Sequence, residues 1–189
     1  MSTEKTLIIV KHDGVSRSLI GEVVRRFENI GLKIVAMKMV WADERVAGEH
    51  YLVSDEWAKG VFSKAKVAAE SKGLEFPYDD YKSYADNIQL MNREYLMEGP
   101  VVAMVFEGPH VVEISRKIVG STEPRQAPPG TIRGDYMFDS YVVADGNKRS
   151  IRNLIHASGT VDEATREIAL WFKPEELHSY QKSLDSYHS

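Results

Sequence analysis

The stretch GPVVAMVF, residues 99–106, carries the clearest buried-strand signal in the chain. Gly99 and Pro100 interrupt the preceding segment, and six apolar residues follow without a charge. A run that is apolar at successive positions is typical of a strand with both faces covered, as in the middle of a sheet. Residues 101–106 therefore predict a central strand with other elements packed against it.

Three further strands are predicted on either side of this one. They are residues 6–11, residues 32–41 and a short apolar run at 153–156. Residues 32–41 are apolar at most positions, so we expect both faces of that strand to be covered. Helical periodicity appears at 20–30, 43–51, 111–119 and 161–172. The order β-α-β-(α-α-α)-β-α-β-α favours an α+β fold of the ferredoxin-like type, a four-stranded antiparallel sheet covered by helices.

Residues 55–98 predict an inserted helical hairpin within this frame. One apolar stripe runs from Trp57 and a second runs from Tyr81 to Tyr95, with Gly73 between them. Asp79 or Asp80 is a suitable cap for the second helix, and Gly99 is a suitable end.

The composition indicates one globular domain over residues 1–189. Charged residues make up 28% of the chain and hydrophobic residues 43%, with a formal net charge of −4. No run of Lys and Arg exceeds three residues, which argues against a dedicated nucleic-acid site. The chain has no cysteine, so thiolate metal sites are excluded. The start of the chain lacks the apolar core of a signal peptide and no run is long enough to span a bilayer, so we expect a cytoplasmic protein without a membrane contact.

The segment RNLIHAS, residues 152–158, carries the first candidate catalytic residue. His156 ends the apolar run, and the small residues behind it leave space beside the imidazole. A neutral imidazole, with an ordinary pKa of ~6.5, is a good nucleophile near pH 7. Glu167 falls two turns into the following helix, on the flank of the buried stripe and about 120° from its centre, from where it could orient the ring. The alternative is a histidine of the core with satisfied hydrogen bonds.

Cations around this histidine form a candidate phosphate-binding set. Lys11 is the last residue of the first strand, Arg116 lies on a helix, and residues 120–135 form a loop that holds Thr122 and Arg133. A loop of this length in a compact domain is usually functional. Guanidinium groups match phosphate oxygens in geometry and charge. Each cation taken alone is more simply a solvated surface charge.

These segments together resemble the nucleoside diphosphate kinase family. The resemblance is carried by blocks in the same order: KHDGVSR at 11–17, HY at 50–51, GPVVAMVFEG at 99–108, PGTIRGD at 129–135, RNLIHAS at 152–158 and REIALWFKPEEL at 166–177. It covers nearly all of the chain except insertions near 57–90 and 139–149. It implies ping-pong transfer of a γ-phosphoryl group from a nucleoside triphosphate to a nucleoside diphosphate through a phosphohistidine.

The resemblance also implies residue roles and partners. His156 matches the phosphorylated histidine, Glu167 the glutamate that orients it, and Tyr51 the tyrosine beside it. Lys11 and Asn153 match residues that contact the sugar hydroxyl, whereas the phosphate ligands match Arg116, Thr122 and Arg133. Mg²⁺ is expected on the nucleotide phosphates, with no metal site made by the protein itself. A homo-oligomer is expected, a tetramer or hexamer built from dimers.

Some positions depart from the family pattern. His12 replaces a common proline, and the segment after His156 reads Ala-Ser-Gly rather than Gly-Ser-Asp. Lys59 stands where the family usually places the phenylalanine that stacks on the base. Trp57 or Phe62 could replace that phenylalanine, although both could equally belong to the core of the hairpin. Three rivals stay open at this point: a catalytically silent homologue, an RNA-binding module, and another histidine phosphotransferase.

Overall fold

The computed structural model describes residues 3–52, 54–71, 73 and 75–182. Its centre is a four-stranded sheet of β1 (Glu4–Val10), β2 (Lys33–Val40), β3 (Val101–Gly108) and β4 (Ile155–Ala157). The strand order is β2-β3-β1-β4, and every neighbouring pair is antiparallel. Residues 101–106 of β3 are no more than 4% exposed. The predicted ferredoxin-like α+β fold with a buried central strand is confirmed.

Helices cover both faces of the sheet. Ile8 and Val10 of β1 pack into one apolar core with Phe27 and Val111, whereas alternate residues of β1 face a second core that includes Trp171. The bounds of the helices are α1 (His12–Ser16), α2 (Ile20–Glu28), α3 (Glu44–His50), α4 (Asp55–Glu70), α5 (Tyr81–Met97), α6 (Val111–Val119), α7 (Ile132–Tyr136), α8 (Tyr141–Gly146) and α9 (Val161–Trp171).

The predicted helical hairpin is α4 and α5, which pack against each other. The side chains of Ser54 and Asp80 accept hydrogen bonds from the first backbone amides of the two helices, so each start is capped. Residues 72 and 74 of the connection, and the tail 183–189, lie outside the described residues. An aromatic cluster holds the hairpin together through ring contacts among Phe62, Phe76, Tyr78 and Tyr84.

The prediction that both faces of the second strand are covered is wrong for the single chain. β2 is an edge strand, and Met37 and Met39 on one of its faces are 46% and 59% exposed. Trp41, just beyond the strand, is 62% exposed. An apolar run alone does not distinguish a face covered by the chain's own helices from one left open at the sheet edge.

The segment predicted as a loop at 120–135 is partly helical. It holds a 3-10 turn at Pro124–Gln126 and the start of α7, whose cap is the Thr131 hydroxyl. The insertion near 139–149 forms α8, capped by Ser140. Helices of five or six residues contain too few apolar repeats for periodicity to indicate them.

Candidate active site

A tight backbone turn positions the candidate catalytic histidine. The predicted strand at 153–156 is wrong in its bounds, because Leu154 has a φ of +66° and β4 begins only at Ile155. The Ile155 amide donates to the Asn153 carbonyl at 2.7 Å, and the Lys11 amide donates to the Leu154 carbonyl at 2.8 Å. His156 therefore lies in the middle of a three-residue strand that pairs with β1, rather than at a strand end.

The contact between His156 and Glu167 selects the free nitrogen of the ring. His156 Nε2 lies 3.0 Å from Glu167 Oε2, and the Ser158 hydroxyl donates to the same oxygen at 2.7 Å. An ionised carboxylate only accepts hydrogen bonds, so we assign the ring hydrogen to Nε2 and the lone pair to Nδ1. The His156 side chain retains 16% exposure and lines a cleft.

Glu167 lies within the buried face of α9, not on its flank as predicted. It is 1% exposed and shares that face with Ala164, Ile168 and Trp171. Val161, the first residue of the periodic segment 161–172, is 47% exposed, so the centre of the buried face predicted for that segment was misjudged. A carboxylate at the centre of a buried face needs hydrogen-bond partners, and His156 and Ser158 supply them.

Burial shifts the pKa values of both His156 and Glu167. It lowers the pKa of His156 to about 3, and the neighbouring positive charge of Lys11 acts in the same direction. Burial raises the pKa of Glu167 above its ordinary value. The imidazole is therefore neutral at pH 7, as a nucleophile must be.

His50 is a second buried histidine at the site that the sequence interpretation missed. Its ring packs edge-to-face on the ring of His156, with 4.5 Å between centroids. Trp171 Nε1 donates to His50 Nδ1 at 3.3 Å, and burial lowers the pKa of His50 well below its ordinary value. Tyr51, next in the chain, packs edge-to-face on His50 at 4.8 Å. The position of His50 beside Tyr51 at the end of a helix was its one sequence signal.

Two buried cations lie beside the histidine. Lys11 Nζ donates to Asn153 Oδ1 at 2.9 Å. Arg133 donates to the backbone carbonyls of Asn153, Gly120 and Ile155 at 3.1, 2.9 and 2.6 Å. Burial lowers the pKa of Lys11 to about 7 and the pKa of Arg133 to about 10, and in Lys11 the charge of Arg133 adds to the effect. An anion that binds here reduces the repulsion between the two cations and replaces the water contacts that burial removed. Cations held in this way therefore favour anion binding.

The other two predicted phosphate ligands lie at the margin of the site. Asn153 Nδ2 donates to the Thr122 carbonyl at 3.2 Å, while the Thr122 residue as a whole is exposed. Arg116 is exposed and lines a neighbouring cavity with Gly159 and Thr160, rather than the cleft beside His156. The structure thus brings together His156, Glu167, Tyr51, Lys11, Asn153 and Arg133, with Thr122 and Arg116 beyond them.

The cleft beside His156 has a volume of ≈ 290 Å³. Its walls come from α3, the hairpin and α9, and its lining residues are His50, Tyr51, Leu52, Trp57, Gln89, Asn92, His156, Glu163, Arg166 and Glu167. Trp57 is 38% exposed in this wall, whereas Phe62 packs against Phe76 and Tyr84 within the aromatic cluster. The two candidate stacking residues therefore have different surroundings.

Comparison with known proteins identifies the family. The family model for nucleoside diphosphate kinase matches residues 4–73 and 63–177. A nucleoside diphosphate kinase of Pyrobaculum aerophilum is 44% identical over 181 residues, which is 94% of this chain and 99% of that protein. This chain belongs to the nucleoside diphosphate kinase family. It is therefore a phosphotransferase, and the resemblance proposed from its sequence blocks is confirmed.

Solved structures of family members support the same conclusion. The crystal structure of an NDP kinase from Pyrobaculum aerophilum superposes with a TM-score of 0.89 at 42% identity, covering 94% of this chain and all of that one. A transition-state mimic of the kinase from Borrelia burgdorferi, with bound vanadate and ADP, gives a TM-score of 0.80 at 38% identity, covering 98% and 96%. In the part of the chain that the structure describes, no helix is long and apolar enough to cross a membrane.

Proposed function

We propose that this nucleoside diphosphate kinase transfers the γ-phosphoryl group through a phosphohistidine at Nδ1 of His156. The observation that carries the proposal is the hydrogen bond between Nε2 and Glu167, which leaves the Nδ1 lone pair free on a ring that lines the cleft. The test is a single-turnover reaction with γ-labelled ATP, in which the label must reside on His156.

The proposed reaction proceeds in two steps. The Nδ1 lone pair forms a bond to the γ-phosphorus, the bond from phosphorus to the β,γ-bridging oxygen breaks, and the nucleoside diphosphate leaves. An oxygen of the β-phosphate of a second diphosphate then takes the phosphoryl group, and Nδ1 regains its lone pair. Glu167 holds the Nε2 hydrogen throughout and stabilises the positive charge that develops on the ring.

The remaining roles are proposed from the resemblance to the family. Lys11 and Arg133 balance the charge of the transferring group, which is the main task in phosphoryl transfer. Arg116 and Thr122 bind the other phosphates, Lys11 and Asn153 contact the sugar hydroxyl, and Tyr51 packs at the site. The roles of Lys11 and Arg133 are supported by their position, because both buried cations are next to His156 with hydrogen-bonding capacity left.

Mg²⁺ is proposed as the metal, carried by the nucleotide phosphates. Among the described residues, the group of three or more possible protein ligands is His50, His156 and Glu167. Two imidazoles and one carboxylate suit Mg²⁺ poorly, since it prefers oxygen ligands and retains water. Lys11 and Arg133 supply positive charge and N–H donors, which suit the phosphate chain of a nucleotide that carries Mg²⁺. Bound there, Mg²⁺ would neutralise charge on the phosphate oxygens.

The oligomeric state and the location stay proposals. A homo-oligomer built from dimers, either a tetramer or a hexamer, is supported by the exposed apolar face of Met37 and Met39 on edge strand β2. The cytoplasmic location and the lack of a dedicated nucleic-acid site stay predictions from the sequence.

Trp57 is proposed as the platform for the nucleotide base. We expect Trp57→Ala to raise the nucleotide KM by about 5–150-fold, because stacking on an aromatic contributes about 1–3 kcal/mol per base. The Trp57 residue is 38% exposed and the Phe62 residue is less exposed, so loss of the Trp57 side chain should lower the melting temperature less than loss of the Phe62 side chain. Steady-state kinetics with ATP and GDP, together with thermal unfolding, measure both quantities.

Phe62→Ala is the matched control for this prediction. Phe62 packs within the aromatic cluster, so its loss should lower stability by up to about 3–5 kcal/mol and leave the KM of the folded enzyme unchanged. A Trp57→Ala variant with unchanged KM would place the stacking group elsewhere and leave the hairpin a role in subunit contacts.

Proton uptake on nucleotide binding is expected from the environment of Lys11. Its pKa of about 7 in the free enzyme lies below the ordinary 10.5, so above pH 7 the amine is mostly neutral. Phosphate charge raises that pKa, so binding at pH 8 should take up as much as about 0.9 proton per site. Calorimetric titration in two buffers of different ionisation enthalpy measures the uptake.

The direction of the effect with pH is a further check on Lys11. Uptake should disappear near pH 6, where the free amine already carries its proton, and it should be absent at pH 8 in Lys11→Met. Equal binding enthalpies in both buffers at pH 8 would contradict the role given to Lys11.

A further inference from the structure

Tyr95 is a buried residue of α5 that makes every hydrogen bond its hydroxyl can make. It is 2% exposed. The hydroxyl donates to Asp13 Oδ2 at 2.8 Å and accepts from the backbone amides of Asn153 and Leu154 at 3.1 and 3.2 Å. A phenol offers one donor and two acceptor sites, so the position of this oxygen is fully determined. The sequence interpretation treated Tyr95 only as part of a helical stripe.

The two amides bound by Tyr95 belong to the turn that leads into His156. Leu154 has a φ of +66°, a conformation that a residue with a branched side chain rarely adopts and that persists only when its surroundings hold it. The Leu154 carbonyl is held from the other side by the Lys11 amide at 2.8 Å. Because β4 has three residues, a change in this turn displaces the imidazole directly.

The ring of Tyr95 also contacts the cations of the site. Lys11 Nζ lies 4.5 Å from the ring centroid, and the Arg152 guanidinium carbon lies 4.6 Å from it. The negative face of an aromatic ring attracts a cation, and the attraction is stronger where water is excluded. Asn153 Oδ1 accepts a hydrogen bond from the same Lys11 nitrogen. The ammonium is therefore held between the ring of Tyr95 and the turn that the Tyr95 hydroxyl binds.

We propose that Tyr95 is a positioning residue, which fixes the Lys11 ammonium and the Asn153–Leu154 turn relative to His156 without touching the nucleotide. The proposal rests on the roles proposed above for His156 and Lys11. Without the hydroxyl the reacting groups are all present but are displaced from the in-line geometry. A displacement of this kind lowers the rate of transfer more than the affinity for nucleotide.

The test compares Tyr95→Phe with the wild-type enzyme. Phenylalanine keeps the ring over Lys11 and removes only the hydroxyl. We expect the single-turnover rate constant for labelling of His156 to fall about 10–100-fold, since small misplacements at a reacting centre have effects of this order. The nucleotide Kd should stay within about threefold, because the phosphate ligands remain. A first-order rate constant does not depend on the folded fraction, so partial unfolding cannot mimic the result.

Tyr84→Phe is the matched control on the same helix. Tyr84 packs in the aromatic cluster with Phe62 and Phe76, away from the turn, so the labelling rate should stay within about twofold of wild type. A wild-type labelling rate in Tyr95→Phe, even with a lower melting temperature, overturns the proposal and leaves Tyr95 a purely structural role. A weaker Kd with an unchanged rate overturns it as well. Labelling of the wild type at a residue other than His156 is a separate result, which refutes the phosphohistidine assignment itself.

Discussion

The His156→Gln variant is expected to lose covalent labelling and to lower turnover by about 10⁵-fold or more, since removal of a catalytic nucleophile has effects of this size. Glutamine is of similar length and retains an N–H that can donate to Glu167, so the buried carboxylate keeps a partner. Its amide nitrogen, however, has no available lone pair to attack phosphorus. The measurement is rapid-quench incubation with γ-labelled ATP, where the wild type should reach about one base-stable, acid-labile label per protomer.

Glu167→Gln separates orientation of the ring from nucleophilic attack. We expect this variant to acquire the same label 10–10³-fold more slowly, as for other partners of an acid–base residue. The amide can turn its NH₂ group toward Nε2 and favour the tautomer that carries the hydrogen on Nδ1, where the lone pair is needed. Labelling of His156→Gln at the wild-type level would exclude His156 as the carrier, whatever the behaviour of Glu167→Gln.

The sheet was predictable from the sequence because its central strands are buried on both faces. Residues 7–10 and 101–106 are continuous apolar runs, and the structure places them side by side in β1 and β3. The hairpin was predictable for a related reason, since its two apolar stripes are long and Gly73 separates them. Strands buried on both faces and long helices with an apolar stripe can therefore be recognised from a single sequence.

Features that depend on contacts between residues distant in the sequence could not be predicted from the sequence pattern. The left-handed Leu154 is held by Lys11 and Tyr95, which are distant in the sequence, so no local signal marks the turn. In the sequence, His50 cannot be told from any other histidine at the end of a helix, because its contacts with Trp171 and His156 exist only in the folded structure. Glu167 was placed on the flank of α9 because sequence periodicity assigns burial to apolar residues, whereas here a carboxylate occupies the buried face.

Arg133 illustrates how much of a site can depend on one side chain. It was predicted as a phosphate ligand only, yet three of its nitrogens donate to carbonyls on both sides of the site. The guanidinium joins Gly120, at the start of the 120–135 segment, to Asn153 and Ile155 of the catalytic turn. Three of its five N–H groups make these bonds, which leaves two for a phosphate oxygen. Its loss therefore removes a charge and a structural connection together.

Arg133→Met is expected to lower kcat/KM by about 10³-fold, because removal of a single charge-stabilising donor costs about 10²–10³ and the loss of the connection adds to it. Arg133→Lys should recover only part of this loss, since an ammonium restores the charge but cannot reach three separate carbonyls as a planar fork does.

Arg125→Met is the matched control: Arg125 lies in the same segment, its side chain is 62% exposed and its Nε donates to Glu123 at 3.3 Å. That variant should stay within about twofold of wild type. Single-turnover labelling with γ-labelled ATP compares the three variants, and a rate for Arg133→Met within tenfold of wild type would show that the phosphoryl group is stabilised by other residues.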